Sequence, residues 1–576
     1  MSIHLQKALQ TYKSGNYKKT ITLLSPVLQR PVVPPEALLI AAQCHSKTQQ
    51  YPEAAEYYAR AANLQTGKEA AILRTLAAKM RSRAGQTQEA LVTAREAARG
   101  HGFDSNAEEA YRRILQVSLC LDEAEQAHAD FLAGMKAGNA VLFGIEAAFD
   151  HITWCGDEAI NARITRVQDG KPFTAEARAA RRARPHRWGE KIRIGYLSND
   201  FSDQHATMRL FQSVILAHDR EKFDVTLFCY TPSDLIALDK GMRRQYPGLV
   251  PIGHLDDQAA EKRIRNQGID ILIDLKGHTK GARIDLVNRG LAPIQVAYLG
   301  YPGTGSGIDC DYAITDTVVT PDSSKPYFHE KLCRLPETYQ SNDGRFRELP
   351  PPASRESLGL PEDRIVFASF NAHRKITPAT AELWVRILEA TGDSLLWIMC
   401  TDAFAQESFL HYMQSRGIDV ERVRFAASAA YGPHVARLQA ADIGLDTFPY
   451  NGHTTTSDKL WAGLPVATKK GSNFASRVSE SLLNALGVPE LVAADDDDYV
   501  RLCVELARDH EKRAAIRQKI ADNRFSAPLF DTERFTRHLE QAYEMMAERA
   551  KAGLEPDHID VPALPPRVHP FGTRPM

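Results

Sequence analysis

Two patterns of apolar positions divide the chain. From Lys191 onward, short β-branched runs alternate with helix-length amphipathic stretches: Ile192 to Leu197, Val225 to Tyr230, Ile269 to Leu275 and Val296 to Leu299. Beyond the Pro-rich Leu349-Pro350-Pro351-Pro352 a second series follows: Ile365 to Phe370, Leu395 to Met399, Val423 to Ala426, Ile443 to Leu445 and Val466 to Thr468. Such alternation predicts strand-helix-strand units and parallel sheets. We read two successive doubly wound domains, over 191–350 and 351–545.

The first 165 residues lack these runs and repeat instead. A small residue after an acidic one recurs in Pro52-Glu53-Ala54, Gln88-Glu89-Ala90, Asp122-Glu123-Ala124 and Asp157-Glu158-Ala159, and the alanines stand 36, 34 and 35 positions apart. A degenerate copy, Gly15 to Thr20, places Thr20 34 residues before Ala54. This is the period of a tetratricopeptide helix pair, in which a small residue lets two helices approach closely. About five units are expected over 1–165, forming an all-α superhelix whose concave face suits a protein ligand. An Arg- and Ala-rich stretch over 166–190, from about Gln168 to Trp188, reads as a connector. After Lys551 six prolines exclude a continuing helix, so 546–576 is expected to be a helix end followed by a tail that lies on the surface or is disordered.

Composition narrows the class. Lys and Arg number 71 against 72 Asp and Glu, which excludes the basic surplus of a general nucleic-acid binder. The eight cysteines are scattered, with no CxxC pair and no Cys/His cluster at zinc spacing. Neither a signal-peptide core nor an apolar run of membrane-spanning length occurs. A soluble protein of the reducing cytoplasm, without membrane insertion, is the expectation.

In open parallel sheets ligands bind beyond the carboxyl ends of the strands, and those positions are rich in Gly, Ser, Thr, His and Lys. They include Ser198 to His205, Lys276 to Gly281, Gly300 to Gly305, Asn371 to Lys375 and Asp446 to Asp458. In the last of these, Asn451-Gly452-His453-Thr454-Thr455 precedes a helix from about Ser457. Free amides at such a helix start, with the helix dipole behind them, suit a diphosphate. The same residues also suit an ordinary N-cap, and at this point both readings stand. No P-loop sequence is present. His278 and His373 read as loop histidines bonded to backbone.

These residues resemble the protein O-GlcNAc transferase and SPINDLY family, a tetratricopeptide array fused to a GT-B glycosyltransferase of two Rossmann-like domains. The resemblance is carried by Ile294 to Thr304, by Leu445 to Thr455 and by Ala475-Ser476-Arg477-Val478. It implies that 191–350 is the acceptor side and 351–545 the nucleotide-sugar side. It implies donor nucleotide and diphosphate contacts at His434, Arg437, Asn451, Gly452, His453, Thr454, Thr455 and Asp458, with His434 stacking on the base and Asp458 holding the ribose. Lys375 is expected to stabilise the leaving diphosphate. Gly300 and Pro302 fall where the donor sugar is held, Lys280 stands on the donor or acceptor side, and His205 is a general base or a positioning group near the acceptor.

The activity so implied is inverting transfer without metal or other cofactor, because amides and a lysine can carry the leaving charge. The expected donor is UDP-GlcNAc and the expected acceptor is Ser or Thr of a protein recruited by the arm. The chain departs from the family pattern at Ala372, where Gln or Asn is common, and in the segment Asp200 to His205, which is one residue longer. A GDP-fucose enzyme of the SPINDLY kind, or a flagellin glycosyltransferase using another sugar, is the alternative within the class. A non-catalytic repeat scaffold is the alternative outside it.

Overall fold

The computed structural model describes residues 3–100, 102–167 and 170–571. Gln168, at the expected start of the connector, and Pro575 of the tail lie outside the described residues, as do Met1 and Ser2. The chain forms two compact units, one of 1–146 with 372–378 and 400–420, the other of the remaining residues.

The first unit is built on helical hairpins: α1 (Ile3–Lys13) with α2 (Tyr17–Leu28), α3 (Pro35–Lys47) with α4 (Tyr51–Ala62), α5 (Gly67–Arg83) with α6 (Thr87–Arg99), and α7 (Ser105–Ser118) with α8 (Leu121–Lys136). Thr20, Ala54, Ala90 and Ala124 are each the fourth residue of the second helix of a pair, and all four are buried. The repeat spacing therefore marks the helix contact it was expected to mark. Each hairpin also turns through a left-handed residue two positions before its second helix: Gly15, Gln49, Gly85 and Leu119. Only two of these are glycine, so sequence inspection alone does not reveal the turn as a repeat.

The fifth copy is not a hairpin. Ala159 lies in the four-residue helix Glu158–Asn161, within the second unit, where the Glu158 carboxylate accepts from Ser324 Oγ at 2.8 Å. The Glu-Ala pair recurs there without a helix long enough to pack as a repeat. The first unit is completed by 372–378 and by the helix Ala403–Ser415, whose Phe404 packs on the cluster of Leu91, Tyr111 and Ala124. Cys120 and Ser408 meet at 3.6 Å, and Arg416 pairs with Asp122 at 2.8 Å.

The second unit holds two parallel sheets. The first contains β1 (Ile192–Ser198), β2 (Phe223–Cys229), β3 (Leu249–Pro251), β4 (Ile271–Asp274), β5 (Ile294–Ala297), β6 (Tyr312–Asp316) and β7 (Lys331–Leu335). The second contains β8 (Val366–Ser369), β9 (Leu395–Met399), β10 (Val423–Ala426), β11 (Ile443–Leu445), β12 (Val466–Lys469) and β13 (Val492–Ala493). A last strand, β14 (Ile559–Asp560), returns to the first sheet, giving the orders β14-β7-β6-β5-β4-β1-β2-β3 and β10-β9-β8-β11-β12-β13. Each sheet reverses its winding once, between β1 and β4 and between β8 and β11. Those reversals open the crevices where ligands of such sheets bind.

Two features depart from the domain boundaries read along the chain. The helix Thr532–Lys551, which follows the second sheet in sequence, packs on the first: Tyr543 and Tyr196 are fully buried with their hydroxyls 3.2 Å apart, and His218 bridges Tyr196 at 2.8 Å and Glu540 at 3.0 Å. The Pro-rich tail supplies β14, which pairs with β7 in register Ile559 to Cys333. Prolines exclude a helix but leave an edge strand available.

The burial of the repeat alanines gives a direct test. Ala90→Leu is expected to destabilise the arm by about 1–3 kcal/mol through overpacking, whereas Val92→Leu, at a position 46% exposed, should leave it within about 0.5 kcal/mol. Thermal melts followed by circular dichroism measure both, and equal effects would contradict the helix-contact role of Ala90.

Candidate donor and acceptor sites

At the crevice of the second sheet, the turn after β11 folds around one carboxylate. Asp446 is fully buried, and its Oδ1 accepts from the amides of Thr447 at 2.9 Å and Gly452 at 2.7 Å while Oδ2 accepts from Thr468 Oγ1 at 2.8 Å. The Phe448-Pro449 peptide within the turn is cis. From the neighbouring strand end, after β8, Asn371 donates to Thr447 Oγ1 at 2.9 Å and accepts from the Thr455 hydroxyl. Gly452 cannot be replaced without movement, because a Cβ there would stand 2.5 Å from Thr456 Oγ1, 2.7 Å from Thr455 Oγ1 and 2.8 Å from Asn371 Oδ1.

This turn delivers the chain into the helix Thr454–Ala462 with His453 as its N-cap residue, whose side chain makes no cap bond. The His453 ring instead meets the Ala475 carbonyl at 3.2 Å. Thr454 and Thr455, the first two residues of this helix, are partly exposed. The helix dipole adds positive potential at that point. Lys459, buried under the turn and donating to the Leu445 carbonyl at 3.1 Å, adds more. Burial pushes its ammonium down to about 8, against the pull of Asp446 and Asp458.

The segment joining the sheets holds the same helix from its other side. Arg347, buried, donates to Ser457 Oγ and to Asp458 Oδ1, each at 2.8 Å, and Ser457 Oγ reaches Asn342 Oδ1 at 2.5 Å. Tyr431 adds a hydroxyl bond to Asp458 Oδ1 at 3.1 Å. Tyr431 opens the helix Tyr431–Leu438, which carries His434 and Arg437. The His434 ring packs edge-on to Phe370 at 5.5 Å and accepts from Arg437 Nε at 3.2 Å, while Arg437 also donates to the Ala427 carbonyl at 2.6 Å. Burial pushes the His434 imidazole down to about 4, so it is neutral at physiological pH.

At the crevice of the first sheet, His205 caps the helix Ala206–Ala217: its Nδ1 accepts from the Thr207 amide at 3.3 Å. Its Nε2 faces Asp200 Oδ1 at 3.4 Å, and Lys276 Nζ reaches both oxygens of that carboxylate at 2.8 and 2.9 Å. Gly300 packs against the same strand end, where a Cβ would stand 2.3 Å from the Leu275 carbonyl and 2.6 Å from that of Lys276. The preceding Leu299 takes a left-handed conformation with φ 68°.

Of the residues singled out from sequence, the structure brings together Asn451, Gly452, His453, Thr454, Thr455 and Asp458, with His434 and Arg437 joined to them through Tyr431. Asn451 is spent internally, donating to the Thr447 carbonyl at 3.0 Å and accepting from the Ser479 amide at 3.3 Å. Gly300 and His205 belong to the first sheet's crevice, Pro302 is buried beside them in sequence, and Lys280 is exposed on the turn after β4. Lys375 ends the turn His373–Lys375 in the first unit. His278 bonds to the Ser306 carbonyl at 2.9 Å, as a loop histidine should. Arg347 and Tyr431 were not singled out from sequence, whereas Asn371, Asp446, Asp200 and Lys276 fall within the strand-end stretches read there but were given no roles of their own. Among the described residues no cluster of His, Cys, Asp or Glu is arranged to hold a metal, and no helix is long and apolar enough to cross a membrane.

Two parallel sheets, each with one winding reversal, and an N-terminal set of helical hairpins define a GT-B body with helical repeats. The chain belongs to glycosyl transferase family 41, whose sequence profile matches residues 175–350 and 350–539. It is 34% identical over 378 residues to a probable UDP-N-acetylglucosamine-peptide N-acetylglucosaminyltransferase, SEC, of Arabidopsis thaliana, covering 65% of this chain and 39% of that protein. It is 30% identical over 484 residues to the UDP-N-acetylglucosamine-peptide N-acetylglucosaminyltransferase of Caenorhabditis elegans, covering 64% and 42%. The chain thus spans about two fifths of the length of these relatives. A solved structure of a Thermobaculum terrenum O-GlcNAc transferase mutant shares the fold, with a TM-score of 0.69 and 24% identity over 96% of this chain and 98% of that one.

The Gly452 geometry predicts that Gly452→Ala lowers stability by about 1–3 kcal/mol, because the oxygens that shape the turn must move. A thermal melt measures the effect, and unchanged stability would contradict the close approach at this glycine.

Proposed function

We propose that this chain is an inverting, metal-independent protein glycosyltransferase that moves N-acetylglucosamine from UDP-GlcNAc to Ser or Thr of a protein held by the repeat arm. The observation that carries the reading is the uncapped start of the helix Thr454–Ala462 at a winding reversal. A diphosphate there would accept from the amides of Thr454 and Thr455 and from the Thr454 hydroxyl. Asp458, fixed by Arg347 and Tyr431 through one oxygen, would offer the ribose its other oxygen. His434, neutral and oriented by Arg437, would present its ring to the base.

The leaving group in such a transfer is a nucleoside diphosphate that gains negative charge, so preorganised donors stabilise the transition state more than the ground state. Lys375 takes the leaving-group role that the family resemblance assigns to it. Gly300 and Pro302 shape the sugar pocket, and Lys280 stands ready on the open turn after β4 for donor or acceptor. His205 serves better as a positioning group than as the base, because its Nδ1 lone pair is already taken by the Thr207 amide. All eight cysteines are unpaired, which suits a reducing cytoplasm.

Ligand protection tests the donor assignment, since a ligand that binds only the folded state raises the melting temperature by mass action. UDP and UDP-GlcNAc are expected to protect, and GDP- and CMP-sugars are not. Protection by GDP or a CMP-sugar alone would overturn the donor. Lys375→Ala is expected to lower transfer at least about a hundredfold with an unchanged melt, and undiminished turnover would remove Lys375 from the reaction.

A further inference from the structure

The ion pair at the first sheet's crevice is set apart by its burial. Asp200 and Lys276 are 3% and 4% exposed, lie 76 residues apart in sequence and meet because β1 and β4 are neighbours across the winding reversal. A pair this buried is costly to desolvate and is weak evidence for stability alone. What distinguishes it is its neighbour: His205, whose side chain is 35% exposed, has Nε2 at 3.4 Å from the carboxylate that Lys276 already holds at 2.8 and 2.9 Å.

We propose that Lys276 is a positioning residue which, by engaging both oxygens of Asp200, keeps the His205 Nε2–H from closing on that carboxylate and leaves it directed to a substrate oxygen. With Nδ1 accepting from the Thr207 amide, the neutral ring carries its proton on Nε2. A carboxylate free of Lys276 would draw that proton into a charge-assisted bond and favour the imidazolium. With the carboxylate engaged, the ring offers a neutral donor to a hydroxyl or amide oxygen on the acceptor side. The charged groups acting on His205 are Asp200 on the β1 turn, Lys276 on the β4 turn and Arg209 on its own helix. Burial lowers its titration first, the two cations lower it further, and Asp200 opposes them. Asp274, beneath, is tied to the amides of Lys276 at 3.1 Å and Gly277 at 2.9 Å and fixes the β4 turn that aims the lysine.

The inference rests on the acceptor-side reading of His205, but its test does not require turnover. The His205 titration is followed by NMR of histidine-labelled full-length protein, its resonance assigned by its loss in His205→Gln. Lys276→Met is expected to move that titration about one pH unit higher, and Asp200→Asn is expected to leave it at or below the wild-type midpoint. A folded Lys276→Met protein whose His205 titrates at or below wild type overturns the proposal. Should Lys276→Met fail to fold, an Asp200→Asn midpoint above wild type overturns it equally. Absence of sugar transfer in the wild type would instead sink the proposed function and leave the titration order unaffected.

Discussion

The donor side of this protein depends on one buried carboxylate. Asp446 has no access to solvent, and its oxygens are met by two amides of its own turn and one hydroxyl of the adjacent strand. A buried charge is tolerable only when its lone pairs are so met, and meeting them here bends Thr447 to Gly452 into a single arrangement. That arrangement sends the chain into the helix Thr454–Ala462, whose N-cap residue His453 makes no side-chain cap bond. The exposed helix start at Thr454 and Thr455 is thus a consequence of how the turn satisfies Asp446.

The same logic operates at both sheets with different chemistry. Where β8 and β11 part, Asn371, Thr447 and Thr455 are neutral and bonded to one another, and Arg347 and Lys459 lie buried behind them. Where β1 and β4 part, the residues are ionic: Asp200 with Lys276, and His205 alongside. One crevice sets a helix start before buried cations. The other presents a donor group beside a carboxylate already engaged by a lysine.

Sequence made much of this visible, for reasons that can be stated residue by residue. The alanine period was readable because Ala54, Ala90 and Ala124 occupy one repeated helix contact, and the strand runs were readable because buried parallel strands are continuously apolar. The fifth repeat copy misled because Glu158-Ala159 has the right residues on a helix of four. Strands β13 and β14, of two residues each, are too short to carry a pattern, and the Pro-rich tail concealed one of them. The loop from Asn451 to Thr455 was recognisable but ambiguous between a cap and an anion site, since both use the same residue types. The roles of Asp446, Arg347 and Lys276 were not readable because they lie in their partners, and those partners are fixed only by sheet order.

The central claim is the position of the diphosphate, and a crystal structure with UDP bound tests it most directly. The account predicts phosphate oxygens within hydrogen-bond distance of the backbone amides of Thr454 and Thr455, with the ribose at Asp458. A diphosphate bound away from the start of that helix, or a helix start re-capped by a side chain with UDP elsewhere, would contradict it.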